Sequence, residues 1–230
     1  LQKLGERPLV LGWVGGHAGR FIEDGLRSEG IAADFVHTGF ESRTCLSIID
    51  ETNRTITEIY EEGETVPAAS VETLYERFRV AVAGSAAVTL SGSLPDGAPA
   101  DLYADLIALA HDAGVPVLLD SSSRALQEGA TAHPFLIKPN RKEFAALYGG
   151  QPQSQDELTA AAREIARRYA TRVVISLGSD GVLATDGDSA WRVQAPPVTA
   201  RSPVGSGDCL LAGLTYGLIH DFTFDEAVHY

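Results

Sequence analysis

From Arg7 onward, short apolar runs bounded by Gly or Pro alternate with longer amphipathic stretches, and this alternation restricts the chain to strands and helices taking turns. Strand candidates are Pro8–Trp13, Ala87–Ser91, Val115–Asp120, Phe135–Lys138 and Arg172–Leu177. Helical periods run over His17–Glu29, Ser70–Ala83, Pro99–Ala113, Arg141–Tyr148 and Gln155–Tyr169. Within one such unit, Leu102, Leu106, Leu109 and Ala110 fall on a single helical face, Gly114 ends the helix, and Val115–Leu119 begins a buried strand. Repeated units of this kind build an α/β domain, a parallel sheet covered by helices. Residues 34–62 break the pattern. They have no helical period and read as a β lid, with Thr44–Asp50 and Thr55–Tyr60 joined by a turn at Glu51-Thr52-Asn53, leaving 1–33 and 63–230 as the core. A second β-rich stretch, Val182–Val198, turns at Asp186-Gly187-Asp188 and leads to an apolar helix ending near His220.

A length of 230 residues bounds the chain to about one domain. With 31 Asp and Glu against 18 Lys and Arg, the net charge is -13, and no basic run exceeds Arg167-Arg168, which argues against nucleic acid as a partner. No apolar run approaches the roughly 20 residues of a membrane span. Cys45 and Cys209 fit neither zinc spacing nor a disulfide framework, and no signal-peptide pattern precedes them, so two free thiols in a cytoplasmic protein are expected.

Five segments can carry chemistry. Gly205-Ser206-Gly207-Asp208 opens a helix, so first-turn amides converge beside a carboxylate; an anion fits there, and Asp208 can take a proton from a hydroxyl, although a simple turn with a dipole-favoured Asp has the same pattern. Lys138-Pro139-Asn140 and Glu143 follow a strand. An amide and a carboxylate three residues apart suit a hydrated Mg²⁺, and Lys138 suits a phosphate oxygen; an N-cap with its capping box reads equally from these residues. Ser91-Gly92-Ser93-Leu94-Pro95 offers two hydroxyls around a permissive Gly, or an ordinary turn. Arg43 at the start of a lid strand is either a phosphate clamp or a solvated edge charge. Ser176-Leu177-Gly178 leaves room for a nucleotide against the backbone, or is a β turn; Arg54 reads as a turn residue without a role. No Gly-x-x-x-x-Gly-Lys and no Gly-x-Gly-x-x-Gly after a strand occurs, which excludes the P-loop and the usual dinucleotide fold, and the six histidines share no catalytic spacing.

Together and in this order, Gly15-Gly16, Ser42-Arg43-Thr44, Ser91-Gly92-Ser93-Leu94-Pro95, Leu119-Asp120, Lys138-Pro139-Asn140 with Glu143, Ser176-Leu177-Gly178 and Pro203–Asp208 resemble the PfkB carbohydrate kinase family, nearest its 1-phosphofructokinase and tagatose-6-phosphate kinase branches. The resemblance implies a ribokinase-like three-layer α/β/α domain with a mostly parallel sheet and a β lid. It also implies ATP-dependent phosphorylation of a hexose phosphate with Mg²⁺, fructose 1-phosphate going to fructose 1,6-bisphosphate. The alternatives are tagatose 6-phosphate as substrate or a noncatalytic sugar-phosphate-binding relative. Carried over by position, Asp208 is the base and Gly205, Ser206 and Gly207 the anion hole. Arg43 and Ser91 hold the sugar's phosphate, Lys138 faces the nucleotide phosphates, Asn140 and Glu143 serve the Mg²⁺ environment, and Ser176 and Gly178 lie on the nucleotide side. In some relatives lid strands mediate dimerisation, which makes a homodimer one state the resemblance allows without settling it. The family's N-terminal Asp and Gly-Gly-Lys-Gly loop and its C-terminal helices have no counterpart here, so both ends of the core are expected to be incomplete.

Overall fold

The computed structural model describes residues 1–50, 52, 53, 55–197 and 204–230. Its strands are β1 (Leu9–Val14), β2 (Ala32–His37), β3 (Cys45–Asp50), β4 (Thr55–Tyr60), β5 (Val88–Ser91), β6 (Val117–Asp120), β7 (Leu136–Ile137), β8 (Arg172–Ser176), β9 (Val182–Thr185) and β10 (Ala190–Val193). Its helices are α1 (Gly16–Ser28), α2 (Ala68–Val82), α3 (Leu102–Asp112), α4 (Ser123–Thr131), α5 (Arg141–Tyr148), α6 (Gln155–Arg168), α7 (Ser206–Ile219) and α8 (Phe224–His229).

The six-stranded sheet runs β10-β9-β8-β7-β6-β5, parallel from β5 to β8 and antiparallel at β9 and β10. Alternation along its strands makes two cores. Val117, Leu119, Ile137, Val173 and Ile175 face one side, against α2, α3, α4, α5 and α6, while Leu118, Leu136, Val174 and Ala184 face α7 and α8. This is the three-layer α/β/α arrangement with a mixed, mostly parallel sheet. Leu118, Leu119, Ile137 and Ile175 lose essentially all solvent contact, each such side chain being worth about 1.5–3 kcal/mol of burial. Helix α3 ends as its spacing predicts: Gly114, at φ 71°, turns the chain so that the Val115 amide donates to the Ala110 carbonyl at 2.9 Å.

Two further pairs complete the described strands. β1 and β2 are parallel neighbours, and β3 and β4 form the antiparallel hairpin of the lid. The sequence boundary at residue 34 therefore cuts through β2. Its pleat belongs with β1, where Phe35 and Val36 are buried, and the free-standing hairpin starts only at Cys45. Glu51 and Arg54 of the hairpin turn, and residues 198–203 including Pro203, lie outside the described residues. Among the described residues no helix is long and apolar enough to cross a membrane. Between β1 and β5 lies a cleft of about 1270 Å³, apolar along Leu11, Trp13 and Leu90 and polar at the end where Arg43, Ser91 and Ser93 meet.

Candidate active site

The C-terminal ends of β5, β6, β7 and β8 bring the sequence candidates into one row, the place where open α/β sheets bind ligands. Ser91 pairs in register with Asp120, the Lys138 amide donates to the Leu119 carbonyl at 2.9 Å, and Asn140 bridges to Ser176, whose amide donates to the Pro139 carbonyl at 3.0 Å. Over this row stands the N-terminus of α7. A Cβ placed on Gly207 would lie 3.2 Å from the Lys138 ammonium, so the glycine lets the helix start come down onto the lysine. Gly205, at φ 83°, turns the chain into the helix, whose N-terminal dipole end favours negative charge.

Lys138 is only 4% exposed and its ammonium sits 2.8 Å from an Asp120 carboxylate oxygen. The lysine is thus held within the protein by a carboxylate rather than standing open in the groove. Burial pushes the Asp120 carboxyl above its ordinary value, the Lys138 ammonium opposes that, and the neighbouring Asp208 carboxylate adds to it. Asp120, Lys138 and Asp208 therefore share one electrostatic field, with Asp208 the exposed member.

Asn140 and Glu143 form a complete capping box. The Asn140 side-chain oxygen accepts from the Lys142 and Glu143 amides, both at 2.9 Å, and Glu143 accepts from the Asn140 amide at 2.8 Å. That box fixes the start of α5. Among the described residues no cluster of three His, Cys, Asp or Glu side chains is built to hold a metal directly. The donor set, one amide and scattered carboxylates, fits Mg²⁺ retained through its waters and a ligand's phosphate oxygens, which is how this small, strongly hydrated ion is usually bound.

On the other side of the row, the loop after β5 is tied down from below. The Tyr103 hydroxyl donates to the Ser91 and Gly92 carbonyls at 3.0 and 3.2 Å, and Ser121 donates to the Gly92 carbonyl at 2.8 Å. Burial, with a contribution from Asp120, pushes the Tyr103 phenol up to about 12, so it remains a donor. Arg43 reaches across from the lid side, and its guanidinium donates to Ser93 Oγ at 3.1 Å. Gly178 lies apart from the row, in the short 3₁₀ turn Gly178–Asp180 between β8 and β9. Tyr103 has no role in the sequence reading, Ser93 enters it only as one of two hydroxyls around Gly92, and Asp120 only as part of the motif Leu119-Asp120. A carboxylate ending the fully apolar run Val117–Leu119 was the available signal for Asp120; the partnership of Arg43 with Ser93 has no signal in a stretch 50 residues long.

The model of the pfkB family carbohydrate kinases matches residues 1–230. Among solved structures, the tetrameric inhibited form of phosphofructokinase-2 from Escherichia coli is 29% identical with a TM-score of 0.91, covering 99% of this chain and 75% of its own. The same enzyme in complex with fructose-6-phosphate gives 28% identity and a TM-score of 0.88 over 98% and 74% of the two chains. A Thermotoga maritima protein described as a possible 1-phosphofructokinase is 27% identical, with a TM-score of 0.89 over 98% and 72%.

Proposed function

Because the chain belongs to the pfkB family of carbohydrate kinases and is an ATP-dependent sugar kinase of ribokinase-like fold, we propose that its acceptor is a hexose phosphate and that the product is a bisphosphate, with fructose 1-phosphate as the preferred substrate. The observation carrying this reading is the Arg43–Ser93 contact. It sets a guanidinium and a hydroxyl at the polar end of the cleft, beside Ser91, where a second phosphate on the sugar can be gripped bidentately. An unphosphorylated sugar has no use for that cation.

In this reading Asp208 accepts the proton of the attacking hydroxyl as its oxygen bonds to the γ-phosphorus of ATP and the bond to ADP breaks. The α7 amides from Gly205 to Gly207 stabilise charge on the transferring phosphoryl oxygens, and the Lys138 ammonium beneath Gly207 adds positive potential at the same spot. Asn140 and Glu143 would hold a hydrated Mg²⁺ through its waters, and the ion would supply charge neutralisation of the ATP phosphates. Ser176 and Gly178 border the nucleotide. The β3–β4 hairpin forms the lid over the substrate end and is the contact between two copies in a homodimer.

A second reading, fructose 6-phosphate as acceptor, draws on the fructose-6-phosphate complex of the similar phosphofructokinase-2. A coupled ADP-release assay on the full-length protein with fructose 1-phosphate, tagatose 6-phosphate, fructose 6-phosphate and ribose separates them. The highest kcat/KM is expected with fructose 1-phosphate. Preference for fructose 6-phosphate would install the second reading, and preference for ribose would overturn both.

A further inference from the structure

Three consecutive residues before Arg43 are fastened to the junction between β1 and α1. A Cβ on Gly15 would fall 2.0 Å from the Phe40 carbonyl oxygen, so the two backbones meet there directly. Ser42 exchanges two hydrogen bonds with Gly15: its amide donates to the Gly15 carbonyl, and its hydroxyl accepts from the Gly15 amide, both at 3.0 Å. Between them Glu41 folds its carboxylate over Gly16, whose own φ is 65° and whose missing Cβ would strike that carboxylate at 2.1 Å. The carboxylate accepts from the Ala18 amide at 2.5 Å and lies 3.6 Å from His17. Helix α1 has no side-chain cap at Gly15 of its own, so Glu41 supplies one from 23 residues away.

We propose that Glu41 is a positioning residue: by anchoring its segment to the start of α1 it fixes where Arg43, two residues on, meets the substrate's phosphate. This rests on the phosphate-clamp reading of Arg43. The connection is short. From Ser42, clamped to Gly15, the chain has only Arg43 and Thr44 before it enters β3, and the Thr44 amide is itself held by Glu61 at 2.7 Å. Arg43 thus leaves from a backbone pinned on both sides, and Glu41 is the charged member of the upstream pin. Hydrogen bonding to the Ala18 amide, with lesser help from His17, holds the Glu41 carboxyl below its ordinary value and keeps it an anion.

The test is a double-mutant cycle in the full-length kinase with Glu41→Ala, Arg43→Ala and the pair, following KM for the sugar phosphate, kcat and Tm. Arg43→Ala should raise KM by about tenfold or more, the worth of a charge-assisted contact. Glu41→Ala should raise KM by about fivefold with kcat held, within the coupling range of residues acting together. The double variant should match Arg43→Ala alone, and Glu41→Gln, which keeps an oxygen for the Ala18 amide, should recover most of the KM. A lowered Tm with unchanged KM, or additive KM effects, would reduce Glu41 to a helix cap and overturn the proposal. If Arg43→Ala leaves KM unchanged, the clamp reading fails by itself. A crystal structure of Glu41→Ala then judges Glu41 separately, an Arg43 still within hydrogen-bond distance of Ser93 being the overturning result.

Discussion

The Lys138–Asp120 pair is the energetic hinge of the site at the scale of single residues. A lysine 4% exposed is tolerated only because a carboxylate meets it at 2.8 Å, and removing one partner of a buried pair leaves the other charged and unsolvated. Lys138→Met, which strands the buried Asp120 carboxylate without its ammonium, should therefore cost about 3 kcal/mol in urea unfolding, far more than a surface substitution. The same carboxyl gives a pH signature. Its folded value lies above the ordinary 3.8, mainly through burial. Between those values the folded state binds more proton than the unfolded chain, so this contribution to stability is complete below 3.8 and is lost as pH rises through the folded value. Comparing urea midpoints of wild type and Asp120→Asn from pH 3.5 upward should show that falling component in the wild type only. Asp208 stands at the exposed edge of the same field and is the base in the proposed reaction. Asp208→Asn should lower kcat by about 10²- to 10⁴-fold while sugar-phosphate KM shifts little, because a base acts in the transition state; turnover near wild type would remove it from that role. The neighbourhood of Asp120, Lys138 and Asp208 spans three elements, and only the register of β6 against β7 and the seat of α7 bring them together. Each residue type at a strand or helix end was readable; their mutual contact was not.

Among the elements, α5 separates a structural from a functional use of the same two side chains. Its capping box satisfies the helix start by itself, so Asn140→Ala should cost about 1 kcal/mol in thermal unfolding, whereas Asn140→Asp, which still accepts from the Lys142 and Glu143 amides, should not. The proposed metal role makes a different demand. Glu143→Gln should raise the Mg²⁺ concentration needed for half-maximal activity at fixed ATP, and an unchanged Mg²⁺ titration would leave the box as a cap alone. The elements with long periods, α2, α3 and α6, were legible because their apolar faces repeat over three or more turns. Helix α4 was not. It is nine residues long and contains Gly129, which reads as a breaker but is required where a Cβ would come within 2.7 Å of the Leu119 side chain. α8 spans only six residues, too few for a readable period, and starts from a Thr223–Glu226 capping box just past the apolar helix. β2 merged into the lid because a strand beside β1 and a strand of a free hairpin have the same alternating pattern, and only pairing distinguishes them.

For the whole molecule the lid hairpin is the feature without internal support. Leu46, Ile48 and Ile59 share one of its faces and Ile49, Ile56 and Tyr60 the other, every one of them 43–64% exposed. A two-stranded sheet is marginal alone in water, and apolar side chains on both faces call for a covering surface. A second copy of the same hairpin offers a self-complementary one, as a two-fold interface requires. Charge works against this association. The chain carries -13, and Asp50, Glu58, Glu61, Glu62 and Glu64 lie on or beside the hairpin. Salt shortens the range of that repulsion, to about 10 Å at 0.1 M, while leaving apolar contact intact. Sedimentation equilibrium should therefore show a dimer that tightens as salt rises from 20 to 300 mM, a range set by that screening argument at roughly these concentrations. Placing glutamates at the cross-strand pair Leu46 and Ile59 should convert it to monomer, since two charges would then sit at the centre of one face. A dimer that survives both substitutions would move the interface to the Ile49–Ile56 face, and one that weakens with salt would make it electrostatic rather than apolar.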